Sequence, residues 1–347
     1  MTVNYSAYSR KTNENFNKMI IETHAYARAG LLGNPSDGYF GKTIAIIVGN
    51  FGAHISLYES PELHIEPSES DLNIFKNIHD LIEKINAQGY YGGDRLIKAA
   101  IRKFYKYCIQ NKIKLDSKNF SIRYSSSIPR QVGLGGSSAI ITATIRALMK
   151  FYRVKIPKEI LPTIILEAEI EELGISAGLQ DRVIQVYEGC IYMDFNHELM
   201  EKKKHGIYQP IDPQKLPKLY LAYKTSLSKI SGQVLNEVKM RYDRGDTEVH
   251  QTLNQIADLA AKGREAIENG DVEQLNCLIN KNFDLRSKIM RISPDNQELI
   301  QTARACGASA KFAGSGGSII GIYTDNNMLN RLIVNLKNTM PGSLNLT

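Results

Sequence analysis

The chain has 347 residues, 43% apolar and 23% charged, which excludes wholesale disorder, collagen and coiled coil and leaves room for about two domains. No stretch approaches the ~18 consecutive apolar residues of a membrane span, and the opening MTVNYSAYSRKTNENFNK lacks the apolar segment of a secretory signal. Its 43 basic and 36 acidic residues leave +7, compatible with nucleic acid, a membrane surface or anionic small molecules, but the one basic cluster, Lys202-Lys203-Lys204, reads as a solvated loop.

Residues 1–22 read as a polar tail. Segments 24–32, 43–48 and 53–58 are rich in Ile, Val and Tyr and read as strands, broken by Gly33-Asn34-Pro35 and by Gly49-Asn50. The spacing of Leu72, Phe75, Ile78, Leu81 and Ile82 predicts a helix over 71–86. Gly89-Tyr90-Tyr91-Gly92-Gly93 interrupts it, and an amphipathic helix follows over about 94–110. Next come a strand at 120–126, a glycine-serine loop, an apolar helix over 137–151, a helix over 157–173, a glycine turn at 174–178, a short helix and a strand at 190–194. A boundary is expected near 200–217, where the lysine run meets Pro210, Pro213 and Pro217. Beyond it lie a strand at 219–223, helices across 229–305, strands at 308–312 and 319–323 around a glycine turn, and a last helix. Strands and helices mix in both halves, so the class is α+β or α/β. Cys108, Cys190, Cys277 and Cys306 form no CxxC pair, which disfavours a zinc site; they read as small core residues of a protein in the cytoplasm.

The most specific motif is Pro129-Arg-Gln-Val-Gly-Leu-Gly-Gly-Ser-Ser-Ala139, between a strand and an apolar helix. Gly133, Gly135 and Gly136 let the backbone turn tightly and approach a ligand. Gly136, Ser137 and Ser138 fall at the helix start, where unpaired N–H groups and the positive end of the dipole favour phosphate. Their hydroxyls suit Mg²⁺, which prefers oxygen. Two look-alikes fail. Ser36–Thr43, S-D-G-Y-F-G-K-T, is followed by Ile44-Ala-Ile-Ile-Val48, strand-like where a P-loop needs a helix. Gly133–Ser138 ends in serine where the dinucleotide fingerprint needs glycine.

Three further segments stand out. In Glu169-Ile-Glu-Glu-Leu-Gly-Ile-Ser-Ala-Gly-Leu-Gln-Asp181 a helix carboxylate, a glycine turn and an aspartate opening the next helix can converge on one cleft, although such an aspartate is also an ordinary cap. Lys311-Phe-Ala-Gly-Ser-Gly-Gly-Ser318 is either a structural hairpin or a loop facing a ligand. Arg28-Ala-Gly-Leu-Leu-Gly-Asn-Pro-Ser-Asp37 places Asp37 in a turn, where it can accept sugar hydroxyls or serve as an Asx turn.

Taken in order, these four segments resemble the GHMP kinase superfamily, over about 28–318, and within it the wordings Leu32-Gly-Asn-Pro-Ser-Asp37, Pro129-Arg-Gln131 and Ala177-Gly-Leu-Gln-Asp-Arg182 resemble the glucuronokinase branch, with sugar-1-kinases and heptose kinases next to it. The resemblance implies an α+β fold of two domains, 23–212 similar to ribosomal protein S5 domain 2 and 213–347 ferredoxin-like, with the active site between them. It implies that Pro129, Gly133, Leu134, Gly135, Gly136, Ser137, Ser138 and Ala139 bind the nucleotide, that Ser138 and Glu169 hold Mg²⁺, and that Asp181 is catalytic with Arg28 beside it. Many members carry lysine at the position of Arg28, and an arginine is a fixed charge rather than a tunable amine. Gly314, Ser315 and Gly316 match the third motif, although Ser315 and Ser318 depart from its glycine run. Asp37 would contact the sugar, and Arg130 or Arg182 could pair with a uronate carboxylate, with phosphate or with surface groups. The implied reaction moves the γ-phosphoryl group of Mg-ATP to the anomeric hydroxyl of glucuronate, or to another sugar or heptose phosphate, or leaves a non-catalytic sugar or nucleotide binder. Neither nucleic acid nor membrane is an expected partner: RNP aromatics, an arginine-rich arm and a basic stripe are missing from the sequence.

Overall fold

A computed structural model describes residues 20–66, 93–224, 232–339 and 344–346. Most of the expected tail, the helix expected over 71–86, and Tyr90 and Tyr91 lie outside the described residues.

Among the described residues the first sheet has six strands. β1 (Ile21–Leu32) pairs antiparallel with the long β2 (Lys42–Ser60). The other edge of β2 carries β4 (Asn119–Ser126) along 53–60 and β5 (Cys190–Asp194) along 42–46. β3 (His64–Ile65) and β6 (Ile207–Ile211) close the two ends. Two strands were expected over 43–58 and one is found. Its pairing with β1 jumps from Gly52 to Val48, so Gly49, Asn50 and Phe51 are looped out as an irregularity within a continuous strand. The region expected as a lysine loop and proline-rich boundary also carries structure. Lys202 and Lys203 form the last turn of a helix (His197–Lys203), where cations meet the negative end of the dipole, and Pro210 sits in β6, an outer strand that tolerates a missing N–H.

Helices pack against this sheet. α1 (Gly93–Gln110), α2 (Gly136–Phe151) and α3 (Leu161–Leu173) bury Leu96, Ile97, Phe104, Ile141, Ile145, Leu148 and Ile165 against Leu31, Ile55, Leu57 and Ile122. α4 (Gln180–Tyr187) packs Val183 and Ile184 on Ile191, Met193 and Phe195. The helix His197–Lys203 is α5.

The second sheet is antiparallel, in the order β10 (Leu344–Leu346), β7 (Leu219–Lys224), β9 (Ser318–Ile322), β8 (Lys311–Phe312). α6 (Gly232–Asp243), α7 (Thr247–Asn269), α8 (Val272–Ile289), α9 (Pro294–Ala305) and α10 (Asn326–Thr339) accompany it. Leu221, Tyr223, Ile320 and Ile322 of this sheet share one apolar cluster with Leu32 and Ile44 of the first, so the core is continuous between them. Gly263 of α7 lets that helix approach Leu32: a Cβ there would stand 2.0 Å from Leu32 Cδ1. Cys108, Cys190 and Cys306 are core residues as expected, whereas Cys277 is exposed on α8. Among the described residues no helix is long and apolar enough to cross a membrane.

Candidate active site

Among the described strands β1 pairs only with β2, and its second edge meets other segments. Arg28 N donates to Leu134 O at 3.1 Å, and two residues on Gly30 N donates to Ala313 O at 2.7 Å. Alternate N–H groups point to the same side of a strand, so one strand edge captures both glycine segments. The two also touch each other. Gly133 has φ +73°, and a Cβ there would lie 2.9 Å from Gly316 O; a Cβ on Gly314 would lie 2.0 Å from Gly133 O. Ser318 Oγ completes the clasp by donating to Val132 O at 2.7 Å.

Beside this clasp opens a cavity of about 640 Å³. Arg28, Asp37, Pro129, Arg130, Gly133, Leu134, Gly135, Gly136, Ser137, Glu169, Asp181, Arg182, Gly314 and Ser315 line it, so four separated sequence segments meet at one place. Ala139, Ser138 and Gly316 do not line it. Ala139 is wholly buried behind the loop, and Gly316 backs Gly133. α2 begins behind Gly135, whose φ of +75° and lack of a side chain leave the helix without a side-chain cap. Its first N–H groups are therefore available to an anion.

The two serines differ from expectation. Ser138 is wholly buried and its hydroxyl donates back to Gly135 O at 3.0 Å. Ser137 is the one that faces the cavity, donating to Glu169 Oε1 at 2.6 Å. Helical rotation explains the difference: neighbouring residues point about 100° apart, so only one of the pair can reach a given side.

Glu169 is fully buried on α3, which ends at Gly174 with φ +66° and turns the chain toward α4. Its second oxygen accepts from Arg182 Nε at 2.6 Å and from Arg182 Nη2, and Arg182 Nη1 donates to Gly178 O at 2.8 Å. Arg182 is thereby committed to the frame: its partner is the buried Glu169, where a uronate carboxylate, a phosphate or surface groups were the expected alternatives. Asp181 stands in the first turn of α4, and its Oδ2 accepts from Arg28 Nη2 at 2.5 Å and lies 3.5 Å from Arg182 Nη1. Burial opposes ionisation of Asp181, but the Arg28 and Arg182 charges outweigh it and hold the carboxyl below its usual range. Asp37 accepts from Gln180 N at 3.2 Å. Burial, and then the Asp181 charge, push its carboxyl up to about 6 against the pull of Gln180 N–H, Arg182 and Arg28.

Two buried cations had no expected role. Lys311 donates to Gly30 O, Asn34 Oδ1 and Phe312 O at 2.6, 2.6 and 2.8 Å, joining β8 to β1. Arg286 of α8 lines the cavity and donates from Nη1 to Gly314 O at 2.8 Å. A signal for it existed: Ile279, Asn282, Phe283, Arg286 and Ile289 recur at helical spacing on the buried face, and arginine is foreign to such a stripe.

The GHMP kinase N-terminal domain family model matches residues 95–189 and the GHMP kinase C-terminal model residues 264–342. Glucuronokinase 1 of Arabidopsis thaliana is 44% identical over 306 residues, 86% of this chain and 84% of that protein. The chain belongs to the GHMP kinase family. A second Arabidopsis thaliana relative, a probable glucuronokinase 2, is 44% identical over 308 residues, 87% of this chain and 84% of that one. The fold agrees with that of Lactococcus lactis galactokinase in complex with galactose, at a TM-score of 0.76 over 95% of this chain and 93% of that one, with 14% identity. As a member of the family the protein is a phosphotransferase with an alcohol acceptor, and its two-domain mixed α and β fold is the one that the resemblance implied.

Proposed function

We propose that this GHMP kinase transfers the γ-phosphoryl group of Mg-ATP to the anomeric hydroxyl of glucuronate. The observation that carries the reading is the meeting of the uncapped α2 N-terminus with the Arg28–Asp181 pair in one cavity. The 44% identity to glucuronokinases over most of the chain supports the choice of sugar.

The division of labour follows from the chemistry. Phosphoryl transfer asks mainly for alignment and charge neutralisation. The N–H groups at 135–137 and the Arg28 guanidinium stabilise negative charge on the moving group. Asp181 is a weak base between two guanidiniums, so its first task is to accept a hydrogen bond from the acceptor hydroxyl and fix its direction. It takes the proton late, as the bond to phosphorus forms and the hydroxyl acidifies. Asp37 and the Gln180 turn contact the sugar ring.

The residues fit Mg²⁺. Ser137 Oγ and Glu169 Oε1 present two oxygen donors on the cavity wall, and a cation that keeps several waters and phosphate oxygens needs no more from the protein. Among the described residues there is no cluster of three His, Cys, Asp or Glu, so a cation held entirely by the protein is not the arrangement proposed. When bound, Mg²⁺ would neutralise β- and γ-phosphate charge. We place the division of the chain at 212/213, between β6 and β7.

The test is an acceptor panel. With Mg-ATP the protein should release ADP on glucuronate at least about tenfold faster than on glucose or galactose. Equal rates on all three sugars would contradict the uronate assignment, and no sugar-dependent ADP would contradict the kinase reading.

A further inference from the structure

We propose that Arg286 is the residue that recognises the acceptor's carboxylate. The inference rests on the uronate reading above and names the group in that cavity that gives it selectivity.

Among the described residues three buried guanidiniums line the cavity, and two of them are already paired with carboxylates. Arg182 is bound to Glu169, and Arg28 to Asp181, Gly133 O and Ala313 O. Arg286 is 3% exposed and has no carboxylate ion-paired with it among the described residues. Its Nη1 is used on Gly314 O, while its Nε is buried without an acceptor. The Nε–Nη2 edge is one of the two sides of a guanidinium that can receive both oxygens of a carboxylate; with Nη1 engaged it is the side left, and it makes no hydrogen bond to a described residue. The face of Phe312, 5.3 Å from the guanidinium carbon, orients the plane.

Position agrees with the chemistry. Arg28 and Arg286 donate to the successive carbonyls Ala313 O and Gly314 O, so Arg286 stands next to the Arg28–Asp181 pair, at the acceptor end of the cavity. A cation buried without an anion is costly, and the charges facing Arg286 do not cure it: Asp37 favours its charged form, Arg28 opposes it, and Lys311 is a neighbouring base. A substrate carboxylate supplies the missing charge. A neutral hexose leaves it missing, which converts a buried defect into selectivity.

The experiment measures kcat/KM for glucuronate and for glucuronamide, its neutral isostere, by ADP release, in the native protein and in Arg286→Met. The native protein should prefer glucuronate by about 100-fold, and the variant should lose that preference to within about fivefold, mostly through KM. Arg286→Lys keeps a charge but not the fork and should retain a preference of about tenfold; it serves as the readout if the methionine variant does not fold. A native preference that persists in both variants overturns the inference while leaving the substrate reading intact. Indifference of the native protein to the carboxylate overturns the substrate reading and the inference with it. Failure of both variants to fold also counts against the inference, because it makes Arg286 a structural residue.

Discussion

Asp37 and Asp181 share one cavity yet are tuned in opposite directions. Asp181, between Arg28 and Arg182, stays ionised through the working range, and Asp37 is pushed up to about 6. As pH falls through 6, Asp37 takes a proton, and the sugar contact proposed for it loses the charge and one of its acceptor oxygens. The expected outcome is a kcat/KM profile with an acid limb centred near pH 6, which Asp37→Asn flattens at a lower plateau. The linked stability runs the other way. The folded Asp37 holds a proton between about pH 4 and 6 that the unfolded chain has released, so its contribution is present at acid pH and is lost as pH rises through 6. Urea unfolding at pH 5 and pH 7.5 should show the native protein losing stability relative to Asp37→Asn. Asp181→Asn should lower kcat by about 10²–10⁴-fold while calorimetry finds ADP affinity nearly unchanged. A turnover within threefold of native would remove Asp181 from the chemistry.

Among the elements, the glycine segments act through backbone contact. A Cβ on Gly314 meets Gly133 O at 2.0 Å, whereas one at Gly174 meets open space and suffers only the φ of +66°. Gly314→Ala should therefore force the two loops apart, raising KM for ATP more than about tenfold and lowering the thermal midpoint. Gly174→Ala should cost about 1 kcal/mol and leave KM for ATP unchanged. This difference also marks what was legible in the sequence. The loop 129–139 announces itself because glycines at fixed offsets ahead of an apolar helix have few other uses, and the carboxylates at 169 and 181 flank a turn. Which serine faces the cavity was not legible, since a rotation of about 100° per residue is settled only by packing against α3. The commitment of Arg182 to Glu169 was equally hidden, because it depends on where α4 lies beside α3. The looped-out Gly49–Phe51 read as a strand break because local glycine and asparagine signals mark turns, while the flanking pairing with β1 is non-local.

Across the whole molecule, β1 is the common reference. Its backbone holds both glycine segments, its Arg28 holds Asp181, and Lys311 of the second sheet donates to its Gly30 O, so the two sheets converge on one strand edge with the cavity beside it. The core that is continuous between the sheets keeps that convergence in register. In the proposed reaction this arrangement would direct phosphoryl transfer to one oxygen of one acceptor, because a hydroxyl held at Asp181 would be the one that faces the glycine-serine loop. The most direct measurement is phosphorus NMR of the product from glucuronate and Mg-ATP. One sugar phosphate per ADP, with its phosphorus coupled to the anomeric proton and the reducing end lost, is the result expected. Phosphate on any other ring oxygen, or ADP accompanied only by inorganic phosphate, would contradict the account.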